Sequence, residues 1–182
     1  MNTTKVIGAL LLSMGLAGTA VAENGFYAGA SVGESSVDAC GDAGALGFTD
    51  CDDSDTGWKI FGGYDLSDNI AVEGAWADLG EMTASRPGRS GGIEVDGFIL
   101  DAKGTLSLNE QFGVFAKLGF MMWDAEGTGA LSGLDDDGTD FHYGIGVQYM
   151  FTEQFGIIGE WEAIDLDDDD VDLLSAGALM KF

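Results

Sequence analysis

The chain has 182 residues, a formal net charge of −25 at pH 7, and 30 glycines against a single proline. Seven basic side chains against 32 acidic ones exclude binding to nucleic-acid phosphates, because that affinity comes mainly from Lys and Arg. An acidic disordered chain is also excluded, because four Trp and 11 Phe provide too much apolar surface, and the length fits one domain with a core.

The amino terminus has the pattern of a secretory signal peptide over residues 1–22. One positive charge, Lys5, precedes an apolar run over residues 6–16, and a small-residue triplet ends at Ala22. The apolar run is shorter than the roughly 20 residues of a membrane-spanning helix, although a retained helical anchor is the alternative. We expect cleavage after Ala22, which leaves an exported domain over residues 23–182.

The only two cysteines, Cys40 and Cys51, lie close together in a polar stretch. An exported protein can keep disulfides, so we predict a bond between them. The bond would close a 12-residue loop and stabilise the fold by about 3 kcal/mol. Metal binding is the weaker alternative, because no histidine or third cysteine lies nearby.

Beyond the signal, apolar residues recur at every second position, which predicts strands with two different faces. No later stretch reaches the roughly 18 apolar residues of a membrane helix. The alternation divides the chain into eight predicted strands of roughly 9–12 residues, long enough to cross a bilayer when tilted. They are residues 26–33, 58–66, 70–79, 98–106, 112–123, 142–151, 155–163 and 173–182.

The connections between these strands alternate in length. Short polar turns are predicted at residues 67–69, 107–110 and 152–154, whereas long acidic, glycine-rich segments cover residues 34–56, 80–92, 126–139 and 165–171. Short turns at one end and long loops at the other are typical of outer-membrane barrels. The predicted fold is therefore an all-β, eight-stranded antiparallel up-and-down transmembrane β-barrel with short periplasmic turns and long extracellular loops.

A soluble eight-stranded barrel of lipocalin type is the alternative fold, because its strands alternate too. Its apolar face would point inward and its charged face outward. Here the second face carries Gly, Ser and charges of both signs, which suits the narrow interior of a membrane barrel. Aromatic residues also fall near the predicted strand ends, as membrane interfaces require, at Trp58, Tyr64, Trp76, Tyr149, Phe151, Phe155 and Trp161.

The last eight residues fit the carboxyl-terminal signal by which outer-membrane barrels are recognised for assembly, with Ser175, Gly177, Met180 and Phe182 at its marked positions. Further in, the sequence resembles strands of the OmpA transmembrane domain at Phe61-Gly62-Gly63-Tyr64, over the stretch from Ala102-Lys103 through Ala116-Lys117-Leu118-Gly119, and at Met122-Trp123. The resemblance implies an eight-stranded barrel in the outer membrane of a Gram-negative bacterium. We expect the carboxyl-terminal peptidoglycan-binding domain of full-length OmpA to be missing.

The alternation of side chains along each predicted strand places charges of both signs on the face toward the barrel interior, the lumen. An unpaired charge there would be costly, so a paired network is predicted. The resemblance implies an interior acid at Glu73 and interior bases at Lys103 and Lys117, while Ile158 stands where the family has a further base. The predicted lumen charges are Lys59, Glu73, Asp101, Lys103, Lys117, Glu160 and Glu162.

A plug of ion pairs is the expected state of this lumen. A regulated ion or proton path is the alternative, although eight strands leave little room beyond the side chains. A general diffusion porin fits less well, because water-filled pores need about 16 strands.

An outer-membrane enzyme would need a base beside a nucleophile or an activated water. The only histidine, His142, begins a predicted strand near the outer rim and faces inward by parity. Gly144 stands where a nucleophilic serine would be needed, and Ser132 is in a loop. We therefore predict no enzymatic activity, and we expect His142 to be a polar residue at the rim of the barrel. A lipid-modifying enzyme is the alternative.

Two sets of loop residues are weak candidates for ligand contacts. Clustered carboxylates suit Ca²⁺ or Mg²⁺, which makes candidates of Asp135, Asp137, Asp167 and Asp169. Their spacing does not match a calcium loop, so we expect a solvated acidic rim, with divalent-cation binding as the alternative. Arg86 and Arg89 are the only arginines, and we predict that they contact lipopolysaccharide phosphates.

These features predict an integral outer-membrane barrel with a structural and surface-interaction role. It would support membrane integrity and present its loops to lipopolysaccharide, host surfaces or phage, without a cofactor and as a monomer. Outer-membrane lipid and the barrel-assembly machinery are its other expected partners. A narrow ion or small-solute channel is the alternative function.

Overall fold

The computed structural model describes residues 25–37, 50–52, 54–86, 89–133, 135–166 and 169–182. In this part of the chain, no helix has the length and apolar character needed to cross a membrane. The described residues form nine strands: β1 Phe26–Val37, β2 Asp50–Asp52, β3 Ser54–Ser67, β4 Ile70–Arg86, β5 Arg89–Ser107, β6 Phe112–Gly129, β7 Asp136–Met150, β8 Phe155–Leu166 and β9 Asp169–Lys181.

Eight of these strands close into an antiparallel barrel, which confirms the predicted fold. Each strand from β3 to β8 pairs with the next along the chain, and β1 closes the ring by pairing with β3 and β9. The three-residue β2 pairs with β4 beyond the barrel. We call the end with the three short predicted turns the turn end, and the opposite end the loop end.

The register of the strands advances by ten residues around the barrel. The chain of paired residues that starts at Tyr27 on β1 reaches Val171 on β9, which pairs with Val37 on β1 (37 − 27 = 10). A closed barrel of this kind tilts its strands by roughly 35–45° to the barrel axis. Eight strands then enclose an interior just wide enough for side chains.

At the turn end, side-chain oxygens accept backbone N–H groups and stabilise the short turns. The Ser67 hydroxyl accepts the Ile70 N–H at 3.2 Å, and the Asn109 side chain accepts the Phe112 N–H at 2.8 Å. Asn, Ser and Thr favour turns because of such local hydrogen bonds. The sequence signals at this end therefore locate the turns well.

At the loop end, the strands are longer than predicted. β4 continues to Arg86, β5 begins at Arg89, and β6 continues to Gly129, so parts of the predicted loops are paired backbone. These extensions carry many Gly, Ser, Thr and acidic residues and lack a continuous apolar face. The period-two signal therefore fades, although backbone hydrogen bonds between the strands continue.

Large apolar side chains cover the outside of the barrel. Ile60, Leu100 and Ile145 are more than half exposed, as expected of a surface in contact with lipid. Aromatic residues border this apolar band at both ends, as in membrane-spanning barrels. Among the exposed ones are Trp58, Trp76, Phe98 and Phe141 toward the loop end, and Phe26, Tyr64, Tyr149, Phe151 and Phe155 toward the turn end.

Glycines inside the barrel make room for aromatic rings. Each of four inward-facing rings lies against the glycine directly across from it on a neighbouring strand, where a Cβ atom would collide with the ring. Ring and glycine thus fill one layer of a narrow lumen, which accounts for part of the high glycine content. The pairs are Tyr27 with Gly63, Phe61 with Gly29, Phe115 with Gly146, and Trp123 with Gly138.

Candidate functional site

The seven predicted lumen charges lie together in one buried cluster, to which five strands contribute. All of them face inward, and none is more than 5% exposed. Charged side chains are rarely buried unless they are paired, so their partners decide whether the barrel is stable. We call this set the lumen network: Lys59, Glu73, Asp101, Lys103, Lys117, Glu160 and Glu162.

Lys117 is at the centre of the lumen network. Its Nζ atom lies 2.6 Å from Oε1 of Glu73 and 2.6 Å from Oε2 of Glu160. It is also 3.6 Å from Oε1 of Glu162. Lys59 joins the last two carboxylates from the other side, at 2.6 Å from Glu160 Oε1 and 2.5 Å from Glu162 Oε2. Two lysines therefore form ion pairs with three carboxylates that are buried away from water.

Lys103 is held mainly by aromatic rings, toward the turn end of the network. Its Nζ atom lies 4.3 Å from the ring centroid of Phe115 and 4.9 Å from that of Tyr27. Its distance to Glu73 Oε2 is 3.6 Å. The Tyr27 hydroxyl donates a hydrogen bond to the same Oε2 at 2.8 Å. Tyr27 is thus a member of the site that sequence reasoning missed.

Residues of like charge face each other across strands in the network. Glu73 pairs in register with Asp101, and Lys103 with Lys117. Such pairs are destabilising in isolation, so the stabilising contacts must run diagonally between strands. Gly119, which pairs with Asp101, provides part of the space, because a Cβ atom there would lie 2.8 Å from the Asp101 Cα.

His142 is fully buried at the loop-end side of the network. Its Nδ1 atom lies 2.8 Å from Asp101 Oδ1, and its Nε2 atom lies 3.4 Å from Glu162 Oε1. The expectation of a polar rim histidine was wrong, because the strands continue beyond His142 and enclose it. Its inward parity was visible in the sequence, but its partners were not.

An apolar layer covers the network on its loop-end side. On four strands, a buried apolar residue lies nearer the loop end than the network residue of the same strand: Ile99 beyond Asp101, Leu79 beyond Glu73, Met121 beyond Lys117, and Ile164 beyond Glu162. Val171 and Leu173 of β9 are buried with them. We call these six residues the apolar plug; the sequence had predicted small or polar side chains here.

The donor atoms of Asp101, His142 and Glu162 lie within 4.8 Å of one another, which is a distance suited to a shared metal ion. However, Asp101 is bound to Nδ1, so only Nε2 and Glu162 Oε1 converge on one point. Lys59 and Lys117 already approach the Glu162 carboxylate. A cation bound there would have two protein ligands and two ammonium neighbours, which is a poor metal site.

Acidic residues form two cross-strand rows on the outside of the barrel, beyond the apolar band. Asp78, Asp96, Asp124 and Asp137 follow one another in register on β4 to β7, and Glu81, Glu94 and Glu126 form the next row. Partial burial, with the nearby charges of Asp78 and Asp124, raises the pKa of Asp96. We call these seven side chains the carboxylate rows.

The family comparison agrees with this architecture. The family model of the outer membrane protein beta-barrel domain matches residues 7–182. The chain belongs to this family. A comparison with the sequences of curated proteins finds no match.

Solved structures of outer-membrane barrels resemble it in fold. The attachment invasion locus protein Ail of Yersinia pestis is 20% identical, with a TM-score of 0.56 over 86% of this chain and 98% of Ail. Neisserial surface protein A is 17% identical, with a TM-score of 0.58 over 87% of this chain and 97% of its own. Ail in complex with the heparin analogue sucrose octasulfate gives 17% identity and a TM-score of 0.55 over 86% and 99%.

In this outer-membrane barrel, the turn end faces the periplasm and the loop end faces the outside, because the family has short periplasmic turns and longer extracellular loops. Of the predicted assembly signal, Ser175 faces the lumen and Met180 pairs with Ala28, so β9 closes the barrel against β1. The Phe182 N–H donates to the Phe26 carbonyl at 2.9 Å. Recognition of this segment by the assembly machinery stays a prediction.

The remaining predicted site residues lie at the loop end. Arg86 pairs with Arg89 at the outer ends of β4 and β5. Asp135 and Asp137 are exposed, and Asp169 begins β9. Cys40 and Asp167 lie outside the described residues, while Cys51 is in β2. The disulfide and calcium binding therefore stay predictions.

Proposed function

We propose that this protein is a structural barrel of the outer membrane with a closed lumen, and that it presents its loop end to molecules outside the cell. The observation that carries the proposal is the filling of the lumen. The lumen network contains direct ion pairs between Lys59, Lys117 and three carboxylates, and the apolar plug covers the network.

The channel alternative would require a polar path through both layers. The pocket at the periplasmic mouth has a volume of about 60 Å³, includes Lys103 in its wall, and lies on the turn-end side of the network. Beyond Lys103, an ion would have to displace buried ion pairs and then lose its water in the apolar plug. The filled lumen therefore supports a closed barrel.

Conductance measurements test the closed lumen. We expect the folded barrel in planar lipid bilayers to show no stable conductance steps, because neither layer leaves room for a hydrated ion. A gel run with and without boiling would verify that the same sample is folded. Reproducible single-channel currents from folded protein would reject the closed barrel in favour of a narrow channel.

The charge of the outer surface limits what the loop end can bind. Of the seven basic residues, Lys59, Lys103 and Lys117 are buried in the lumen. Lys181 lies at the turn end, 3.0 Å from Asp65, and Lys5 belongs to the predicted signal. Arg86 and Arg89 are therefore the only basic residues available to bind anionic groups at the loop end.

The carboxylate rows repel anionic groups of lipopolysaccharide unless divalent cations lie between them. Arg86 and Arg89 lie farther out, because Arg86 ends β4 and Arg89 begins β5, about 25 Å of strand beyond Asp78. The heparin analogue bound to Ail is a polysulfate, and the only cations that this loop end offers such a ligand are the two arginines. We therefore propose that they contact the phosphates of lipopolysaccharide.

Binding of lipopolysaccharide to the refolded barrel tests this contact. The variant Arg86→Ala/Arg89→Ala should bind about tenfold less tightly or worse, because charge-assisted hydrogen bonds are lost. Lys181→Ala removes a positive charge at the periplasmic end and should leave the affinity unchanged. Equal affinity of wild type and the double arginine variant would reject the contact.

Other parts of the proposal follow from the same features. We propose a monomer in lipid, export with cleavage after Ala22, and no enzymatic activity. The last point is supported by His142, whose two ring nitrogens both face carboxylates in the lumen. Host surfaces and phage are further partners that the loop end could meet.

A further inference from the structure

The lumen network does not balance its own charge. Four of its members are carboxylates, namely Glu73, Asp101, Glu160 and Glu162, whereas only three are lysines. All seven are buried, so bulk water and salt screen them little. One negative charge therefore remains without a lysine.

The excess charge lies next to His142. Lys59 and Lys117 account for the close ion pairs of Glu160 and Glu162, and Glu73 contacts Lys117 and Lys103. Among the described residues, the only group with an ion-pair contact to Asp101 is His142, through Nδ1 at 2.8 Å. The imidazole is therefore the one ionisable group that can neutralise Asp101.

Neither neutral tautomer of His142 fits the two contacts. A neutral ring has one N–H donor and one bare nitrogen that accepts. With the proton on Nδ1, the bare Nε2 faces Glu162 Oε1 at 3.4 Å, and with the proton on Nε2, the bare Nδ1 faces Asp101 Oδ1 at 2.8 Å. In both arrangements two acceptor atoms face each other, and neither Nε2 nor Glu162 Oε1 has a hydrogen-bond partner that would compensate.

We propose that His142 is a doubly protonated imidazolium at neutral pH and the fourth cation of the lumen, linking Asp101 on β5 to Glu162 on β8. The eight groups then sum to zero charge. Loss of this proton would place a net negative charge directly below the apolar plug, so closure of the barrel would depend on pH through one side chain.

The surroundings of His142 leave no other group to take this role. Asp101 faces the ring from β5, Glu162 from β8, and Lys117 lies beyond Glu162 Oε1 on β6. Lys59 on β3 and Glu160 on β8 complete the neighbouring ion pairs, with Glu73 on β4 behind Lys117. On the loop-end side, Asp140 accepts a hydrogen bond from the Trp123 indole at 2.5 Å.

Nitrogen NMR reads the protonation state directly. His142 is the only histidine, so a histidine-labelled barrel without an affinity tag gives one imidazole signal pair. At pH 7.5 in lipid, we expect both ring nitrogens to carry protons. One protonated and one bare nitrogen would overturn the proposal, as would a shift of the signals on addition of Zn²⁺, which would indicate a metal site.

The variant Asp101→Asn distinguishes the two charge states by the sign of its effect. If His142 is an imidazolium, Asp101→Asn leaves a net positive charge in the lumen and should lower the ratio of folded to unfolded protein at least tenfold. If His142 is neutral, the same change removes the excess negative charge and should leave that ratio equal or higher. The second outcome would overturn the proposal.

The double variant His142→Gln/Asp101→Asn gives an independent check. His142→Gln alone should lower the folded ratio at least tenfold, because it leaves Asp101 without a cation. Adding Asp101→Asn should recover most of that loss, since the network is again neutral, whereas additive losses would contradict the charge balance. These experiments measure protonation and stability, whereas the conductance of planar bilayers tests the closed lumen. A neutral His142 would therefore reject this proposal even if the barrel does not conduct, and a conducting barrel would reject the closed lumen whatever the charge of His142.

Discussion

Replacing Lys117 by methionine should lower the free energy of unfolding by about 3–5 kcal/mol, or prevent folding, because it breaks a buried ion-pair cluster. Lys117 contacts Glu73, Glu160 and Glu162, all of them buried. Methionine keeps most of the volume, so the loss would report the carboxylates left without a cation. Urea unfolding of the refolded barrel, followed by Trp fluorescence, measures the change.

A matched change at the periplasmic mouth separates burial from mere loss of charge. Lys181 pairs with Asp65 at 3.0 Å, but the two side chains are 38% and 32% exposed. Lys181→Met should therefore cost less than about 1 kcal/mol. Equal losses for the two methionine variants would show that the lumen network does not determine stability. Partial recovery in Lys117→Met/Glu160→Gln would support the charge interpretation.

The face of each lumen charge could be predicted from the sequence, but its partner could not. Alternation within a single strand places Lys103 and Lys117 on the inside. Contacts between strands depend on register and stagger, which arise from pairing among residues far apart in the chain. In register, Lys103 opposes Lys117, so nearest-neighbour reasoning would have predicted repulsion where diagonal contacts provide the pairing.

The two missed members of the site, Tyr27 and His142, show the same limit. Tyr27 is near the start of β1 and was given no role from the sequence, yet its ring lies on Gly63 and its hydroxyl reaches Glu73. His142 reads as a rim residue when its strand is taken to begin there. The inward parity of both was a usable signal, because a polar group on that side needs a partner.

Two residues of the apolar plug, Ile99 and Met121, were hidden because their neighbours in the chain are apolar as well. In Phe98-Ile99-Leu100 and Met121-Met122, alternation is lost, because lipid covers one side and the plug the other. Period-two reasoning detects strands with one polar face. Where both faces are apolar, it still permits a strand but cannot assign an inward layer.

Replacing Gly63 by alanine should cost about 1–3 kcal/mol of folding free energy, because the added methyl group would overlap the Tyr27 ring. A Cβ atom at Gly63 would lie 2.6 Å from Cε1 of Tyr27, which is itself buried and bonded to Glu73. The ring cannot move away without losing that hydrogen bond or meeting Lys103. Urea unfolding in the same lipid measures the cost.

Gly104→Ala is the matched control, because Gly104 also lies in a strand and a Cβ atom there meets nothing within 4 Å. It should leave stability unchanged or slightly higher, since alanine restricts the unfolded chain more than glycine does. A double-mutant cycle then isolates the ring: in a Tyr27→Leu background, Gly63→Ala should lose most of its cost. If Gly63→Ala and Gly104→Ala have the same free energy of unfolding, the lumen glycines are not needed to make room for aromatic rings. The high glycine content would then need another explanation.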